Sequence, residues 1–141
     1  MWPPGVPRFP LPWSPVAESA PRVLVVDDEV SNLKVLQKLL EKAGYEVLLA
    51  GSGPEALDVL RAQQPSVVLT DLKMPGMDGL ELLRAVRTVA PEAEVVLMTA
   101  YGSVEVAVEA MREGADDFIT KPLKRHDVLR AVGRALQKAE L

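Results

Sequence analysis

Short apolar segments alternate with amphipathic segments along most of this chain. Five of the apolar segments are typical of β-strands, and they are RVLVVD (22–27), YEVLLA (45–50), SVVLTD (66–71), AEVVLMTA (93–100) and ADDFITKP (115–122). The first, third and fourth are nearly continuous runs of valine and leucine, as expected for strands that are covered on both faces of a parallel sheet.

Each of these segments is followed by a stretch with the period of an α-helix. The apolar stripes are Leu33, Leu36 and Leu40 in the first stretch, Leu80, Leu83 and Val86 in the third, Val104, Ala107, Val108 and Met111 in the fourth, and Val128, Leu129, Val132 and Leu136 in the fifth. Gly44 is expected to end the first helix, and Gly53-Pro54-Glu55 to begin the second. Asp78 and Glu81 form a predicted capping box for the third. Strict alternation predicts an α/β fold of the (βα)5 type, with a doubly wound parallel sheet.

The first 21 residues do not share this pattern. They hold seven of the twelve prolines and both tryptophans, without a strand or helix period. This composition favours a disordered Pro-rich extension or a wrongly assigned start codon. The alternative is an arm whose Trp2, Phe9 and Trp13 bind a partner. We therefore predict an extension at 1–21 and one domain at 22–141.

Composition excludes several classes of function. A net charge of −4 argues against a general binder of nucleic acids or membrane surfaces, since both favour a basic face. The absence of cysteine excludes disulfides, thiolate metal sites and cysteine nucleophiles, and a single histidine excludes a multi-histidine zinc site. No apolar run approaches the roughly 20 residues of a membrane span.

Polar residues lie where the predicted strands end. They are Asp27 and Asp28 at the end of the first strand, Asp71 at the end of the third, Thr99 at the end of the fourth and Lys121 at the end of the fifth. The carboxyl ends of parallel strands share one edge of the sheet, where open α/β folds bind ligands. If the strand order is 2-1-3-4-5, the first and third strands are neighbours and the three aspartates converge. Spacing alone does not fix that order.

Three converging carboxylates repel one another unless a cation joins them. Mg²⁺ is the expected cation, because it takes oxygen ligands and tolerates a site with few protein groups and several waters. Carboxylates alone would not distinguish a metal site from a solvated edge. Thr99 and Lys121 add a hydroxyl and a cation, which a dianionic oxyacid such as phosphate needs, and Ala100 is small enough to leave room for it.

Four segments in order, VVDDE, LTDLKMPGMDG, MTAYGS and FITKP, resemble the motifs of the response-regulator receiver domain of two-component signalling. Their spacing also resembles the family's, with 28 residues from Asp71 to Thr99 and 22 from Thr99 to Lys121. The run TAYGSVEVAVEAMREGADDFITKPL is most similar to receivers of the nitrogen-regulation (NtrC) activator type. The resemblance covers essentially 22–141 and implies a flavodoxin-like sheet of order 2-1-3-4-5.

The resemblance also implies a role for each site residue. Asp71 would be the phosphoacceptor, and the Mg²⁺ ligands would be Asp28, Asp71, the backbone carbonyl of Lys73 and, through water, Asp27. Thr99 and Lys121 would hold the phosphoryl oxygens.

Further residues would act in switching or mark the end of the fifth strand. Thr99 would move toward the phosphoryl group while Phe118, often tyrosine in relatives, turns inward. Tyr101 would modulate access and phosphate lifetime. The Lys121-Pro122 bond is expected to be cis. Two residues after that bond stand apart from the site: His126 is expected to be solvated rather than a phosphodonor, and Lys124 opposes the dipole of the fifth helix and leaves its start open.

The function implied is a cytoplasmic signalling switch. It would take a phosphoryl group from a histidine kinase or a phosphotransfer protein and regulate a downstream protein through its fourth helix, fifth strand and fifth helix. Only slow self-catalysed phosphorylation and dephosphorylation are expected, not enzymatic turnover. The sequence does not decide whether the phosphorylated form dimerises. If Leu141 ends the protein, no ATPase or DNA-binding domain follows and output depends on protein contact.

Three alternatives stay open. The first is a degenerate receiver that acts only as a scaffold, although all five site residues are present. The second is the receiver fragment of a larger transcriptional activator. The third is a phosphatase of the haloacid-dehalogenase type, although Asp71-Leu72-Lys73 lacks the Asp-x-Asp motif of that class.

Overall fold

The structure is a computed structural model that describes residues 20–100 and 104–140. These residues form the strands β1 (Arg22–Val26), β2 (Glu46–Ala50), β3 (Val67–Asp71), β4 (Glu94–Thr99) and β5 (Asp117–Thr120). The helices are α1 (Val30–Lys42), α2 (Gly53–Gln63), α3 (Gly79–Val89), α4 (Val104–Arg112) and α5 (Arg125–Glu140). The predicted alternation is confirmed. Among the described helices, none is long and apolar enough to cross a membrane. Except for Ala20 and Pro21, the predicted extension lies outside the described residues.

The five strands form one parallel sheet in the order β2-β1-β3-β4-β5, which confirms the predicted topology. Val26 pairs with Thr70 in the register of β1 and β3. The next residue along each strand is an aspartate, so this register brings Asp27 and Asp71 to the same edge side by side.

The sheet separates two apolar cores, because successive side chains on a strand point to opposite faces. In β1, Val23 and Val25 pack on one face against α1 and α5. Leu24 and Val26 pack on the other face against α2 and α3. Both faces are covered, which explains why the valine and leucine runs need no polar alternation.

Local sequence explains where the helices begin and end. Gly44 follows α1 with φ of +100°, a left-handed conformation that glycine adopts without strain. The predicted capping box at α3 is present: the Glu81 N–H donates to Asp78 Oδ1 at 2.8 Å, and the Asp78 N–H donates to Glu81 Oε1 at 3.0 Å. Lys124 stands just before α5, and its carbonyl accepts hydrogen bonds from the first turn of that helix.

Helix α4 has the smallest buried side chains of the five helices. Its buried residues are Ala107 and Ala110. Its exposed apolar residues are Val104, Val106, Val108 and Met111. Arg84 of α3 also binds Glu113, just after α4, through two hydrogen bonds of 2.7 and 3.0 Å. Among the described residues, the buried side chains of this helix thus amount to two methyl groups, and Arg84 adds ion pairs to Glu109 and Glu113.

Candidate functional site

Three carboxylates meet at the carboxyl edge of β1 and β3. Asp27, Asp28 and Asp71 each present one oxygen, and these oxygens lie within 4.8 Å of one another. Asp27 is fully buried, Asp71 is 6% exposed and Asp28 faces solvent. The structure therefore brings together Asp27 and Asp71, which are 44 residues apart in sequence.

Asp27 has both oxygens engaged by neutral donors. The Glu29 N–H donates to Oδ1 at 3.0 Å, and the Asn32 side-chain amide donates to Oδ2 at 3.2 Å. Sequence reasoning missed Asn32. The signal that was available is its position in the first turn of the helix that follows the two aspartates.

Asp71 has a cationic partner. The Lys121 ammonium lies 3.2 Å from Asp71 Oδ1. Lys121 comes directly after β5 and precedes Pro122 through a cis peptide bond, as predicted. The end of β5 thus supplies the cation that β3 lacks.

Burial changes the acidity of Asp71. The pKa of its carboxyl lies above the ordinary value of 3.8, chiefly because burial disfavours the charged form. The Lys121 ammonium opposes this rise, whereas the negative charge of Asp27 adds to it. The net direction shows that one lysine does not fully compensate for burial beside a second carboxylate.

The raised pKa predicts a pH dependence of stability for the metal-free protein. Between pH 3.8 and the raised pKa, the folded state holds more protons at Asp71 than the unfolded state does. The free energy of unfolding should therefore fall as pH rises through that window and stay lower above it. Asp71→Asn should lack this loss. Urea unfolding at a series of pH values measures the difference.

The control for this experiment is Asp58→Asn, because the Asp58 side chain is 83% exposed. This variant should follow the wild-type pH profile. A wild-type profile that stays parallel to that of Asp71→Asn through the window would contradict the raised pKa.

Thr99 ends β4 and is completely buried. Its hydroxyl donates to the Ile119 carbonyl at 3.5 Å, a long and weak hydrogen bond, and its own carbonyl accepts from the Lys121 N–H at 2.8 Å. Thr99 thus lies at the predicted edge of the sheet, next to β5, and its hydroxyl bonds to the backbone of β5.

The remaining predicted residues are placed as follows. Phe118 is half-buried and packs against the apolar core that lies between the sheet and helices α2 and α3. Lys73 is exposed in the loop after β3. His126 is 76% exposed, and its Nε2 lies 3.2 Å from Asp127 Oδ1. Tyr101 lies outside the described residues.

Gly79 fixes the loop that follows Asp71. Its N–H donates to the Leu72 carbonyl at 2.8 Å. A Cβ atom at this position would lie 2.5 Å from the Asp71 carbonyl oxygen and 2.8 Å from the Leu72 Cα. Only glycine permits this approach of α3 to β3. Sequence reasoning quoted this glycine inside a motif but gave it no role.

The donor set fits Mg²⁺. Carboxylate oxygens are the hard ligands that this ion prefers, and the exposure of Asp28 leaves access for the waters that it keeps. Asp27 supports the same conclusion, because its buried charge has only neutral hydrogen-bond donors among the described residues.

Comparison with known proteins identifies the family. Residues 23–133 match the family described as the response regulator receiver domain. The chain is 44% identical over 114 residues to the transcriptional regulatory protein ZraR of Escherichia coli K12, a match that covers 81% of this chain and 26% of ZraR. The chain spans about a quarter of the length of the curated relatives it matches.

Solved structures agree with this assignment. A response regulator receiver domain protein from Clostridium thermocellum has a TM-score of 0.82 and 34% identity, over 85% of this chain and 97% of that chain. NtrX from Brucella abortus has a TM-score of 0.82 and 36% identity, over 86% of this chain and 28% of that chain.

Receiver domains bind Mg²⁺ in an acidic pocket, take phosphoryl groups from histidine kinases and regulate a downstream output. The cluster of Asp27, Asp28 and Asp71 has the acidic composition of such a pocket. The chain therefore belongs to the response regulator receiver domain family, among receivers of the nitrogen-regulation (NtrC) activator type.

Proposed function

We propose that this chain is a phosphorylation-dependent switch in which Asp71 accepts a phosphoryl group in the presence of Mg²⁺. The convergence of three carboxylates beside a lysine carries the proposal, since the Lys121 ammonium lies 3.2 Å from Oδ1 of Asp71, which is one of the three. Residues 22–141 would form the receiver domain. This boundary is supported by the family match from residue 23 and by the Pro21 carbonyl, which accepts a hydrogen bond from the Glu46 N–H at 2.9 Å.

The metal would be held by Asp28, Asp71 and the backbone carbonyl of Lys73, with Asp27 acting through water. When bound, Mg²⁺ supplies positive charge against the phosphoryl oxygens and the crowded carboxylates. The chain's own contribution is position and charge. Backbone hydrogen bonds of the next residue, from the Leu72 N–H to the Met98 carbonyl and from the Gly79 N–H to the Leu72 carbonyl, fix the chain after Asp71. The Lys121 ammonium lies 3.2 Å from Asp71 Oδ1.

In the proposed reaction, an Asp71 oxygen attacks the phosphorus atom of a phosphoimidazole on a histidine kinase or phosphotransfer protein, or of a small acyl phosphate. The new oxygen–phosphorus bond forms as the bond from phosphorus to the donor breaks, and its electron pair leaves with the donor. Lys121 then pairs with a phosphoryl oxygen. Later attack by water releases inorganic phosphate and restores Asp71, so the signal is self-limiting and turnover is slow.

Switching would begin at Thr99. Its hydroxyl is engaged by a bond of 3.5 Å to Ile119, which costs little to exchange for a charged phosphoryl oxygen. Phe118 lies one residue before Ile119 and is only half-buried. It would turn inward through packing alone, because it has no hydroxyl. Tyr101 would modulate access to the phosphoryl group.

The output surface would be formed by α4, β5 and α5. It contains exposed apolar residues of α4, namely Val104, Val106, Val108 and Met111. A downstream protein, or a second copy of the chain, would bind there after phosphorylation.

The test compares wild type with Asp71→Asn after incubation with Mg²⁺ and either acetyl phosphate or beryllofluoride. With acetyl phosphate, wild type should gain a phosphoryl group, detected by intact mass. With either reagent it should show shifts of backbone amide resonances near the site relative to Mg²⁺ alone. The variant should show neither. A change in both proteins would contradict Asp71 as the acceptor. Failure of wild type to bind Mg²⁺ would favour the scaffold alternative, and rapid turnover of small phosphate esters would favour an enzyme.

A further inference from the structure

We propose that Asn32 is a positioning residue for the metal site, acting through Asp27. The inference rests on the proposed function, because it assigns a role in Mg²⁺ binding at the same cluster. Its basis is the hydrogen bond of 3.2 Å from the Asn32 amide to Asp27 Oδ2, together with the complete burial of Asp27.

A buried carboxylate needs donors for both oxygens, since leaving one unpaired is costly. For Asp27 the donors are the Glu29 N–H at Oδ1 and the Asn32 amide at Oδ2. The two bonds come from different points of the chain and so fix the plane of the carboxylate. Each oxygen keeps a second lone pair, and this fixed plane determines where that lone pair points.

The placement of Asn32 is itself rigid. Its backbone N–H donates to the Glu29 carbonyl at 3.1 Å in the first turn of α1. The next residue, Leu33, is buried in the core beneath that helix, and so is Leu36. The helix is thereby held at an orientation that directs the Asn32 side chain at Asp27. A mobile surface amide could not orient a carboxylate in this way.

The neutrality of Asn32 also matters. A lysine or arginine at this position would pair with Asp27 and compete with a divalent cation for the cluster. The amide satisfies the oxygen and leaves the negative charge in place. Asp71 offers the contrast, because its partner Lys121 carries a charge. In the described part of the chain, no cationic side chain lies within 4 Å of Asp27.

The test measures the Mg²⁺ dissociation constant of the unphosphorylated protein by calorimetry. Asn32→Ala and Asn32→Leu both remove the amide donor, and both residues are good helix formers, so α1 should stay folded. We expect Mg²⁺ to bind about tenfold more weakly to either variant, as for other groups that orient a metal ligand. Ser31→Ala is the matched control, because Ser31 is its exposed neighbour on the same turn.

A second arm separates positioning from a general structural effect. In an Asp27→Asn background, the proposed ligands Asp28 and Asp71 remain, so we expect the affinity to stay measurable. There, adding Asn32→Ala should change the dissociation constant little, because the group through which Asn32 acts is gone. In wild type, the Asn32 side-chain amide resonances should shift during the Mg²⁺ titration with the same dissociation constant.

The outcomes are distinguishable. If wild type binds Mg²⁺ and reacts at Asp71, but both Asn32 variants bind the ion as tightly as Ser31→Ala, the role of Asn32 is overturned and the proposed function stands. An equal loss of affinity in the wild-type and Asp27→Asn backgrounds would also overturn it. If wild type fails to bind Mg²⁺, both proposals fall together.

Discussion

Replacing Gly79 with alanine is expected to lower the free energy of unfolding by about 3 kcal/mol, the upper part of the usual range for overpacking. The added Cβ would meet the Asp71 carbonyl oxygen at 2.5 Å and the Leu72 Cα at 2.8 Å. Both are backbone atoms, and β3 is buried along its whole length, so neither can move aside easily. Urea unfolding monitored by circular dichroism measures the change.

The chain offers a matched control for this substitution in Gly133. It lies within α5, and a Cβ at that position would have no atom within 4 Å. Gly133→Ala should therefore raise the free energy of unfolding by about 0.8 kcal/mol, because alanine is the better helix former. Similar changes at both positions would show that glycine propensity, rather than contact with Asp71, determines the result.

Gly79→Ala should also affect the reaction. A displaced β3–α3 loop moves the backbone that follows Asp71 and, with it, the carbonyl of Lys73 proposed as a metal ligand. Under conditions where the variant stays folded, its modification by acetyl phosphate should therefore be slower than that of Gly133→Ala. Equal rates would show that the loop relaxes without moving the acceptor.

Replacing Lys121 with methionine is expected to slow modification of Asp71 by acetyl phosphate about 100-fold, comparable to the loss of one preorganised donor at other reacting oxygens. Methionine keeps most of the side chain's length but removes the ammonium that lies 3.2 Å from Asp71 Oδ1. In the metal-free protein the pKa of the Asp71 carboxyl should rise further, because Lys121 is the charge that lowers it. Intact-mass kinetics and a carboxyl ¹³C titration measure the two effects.

The control for this prediction is Lys124→Met. Lys124 is an exposed cation three residues further along, just before α5. Lys124→Met changes the net charge by the same amount as Lys121→Met, so its rate of modification by acetyl phosphate should stay close to that of wild type. If both variants lose the same rate, the long-range charge of this edge, rather than contact with Asp71, governs the reaction.

Much of the fold could be predicted from the sequence, because the two apolar cores require apolar residues in a recognisable pattern. Strands covered on both faces are mostly apolar, so Val67 to Leu69 of β3 could be recognised as buried. Helix ends were equally readable, since Asp78 and Glu81 bond only to their own helix. The strand order β2-β1-β3-β4-β5 could not be predicted from this pattern, because it depends on which strands pair. It was predicted from the family resemblance instead.

The candidate site was predictable only in part. Asp27, Asp28 and Asp71 could be placed together once strand order was assumed, because all three lie at the carboxyl end of a strand. Asn32 and Gly79 could not be given roles, since their importance lies in contacts with Asp27 and with the Asp71 backbone that depend on tertiary packing. A pattern of apolar and polar positions contains no information about such contacts.

The small buried surface of α4 has a consequence for the unphosphorylated state of the proposed switch. Burying the methyl groups of Ala107 and Ala110 contributes on the order of 2 kcal/mol in total. A free-energy difference of that size between the two arrangements leaves the displaced one populated at the level of a few per cent without any phosphate. We therefore expect some basal output from the unmodified chain, and a partner with high affinity would detect it.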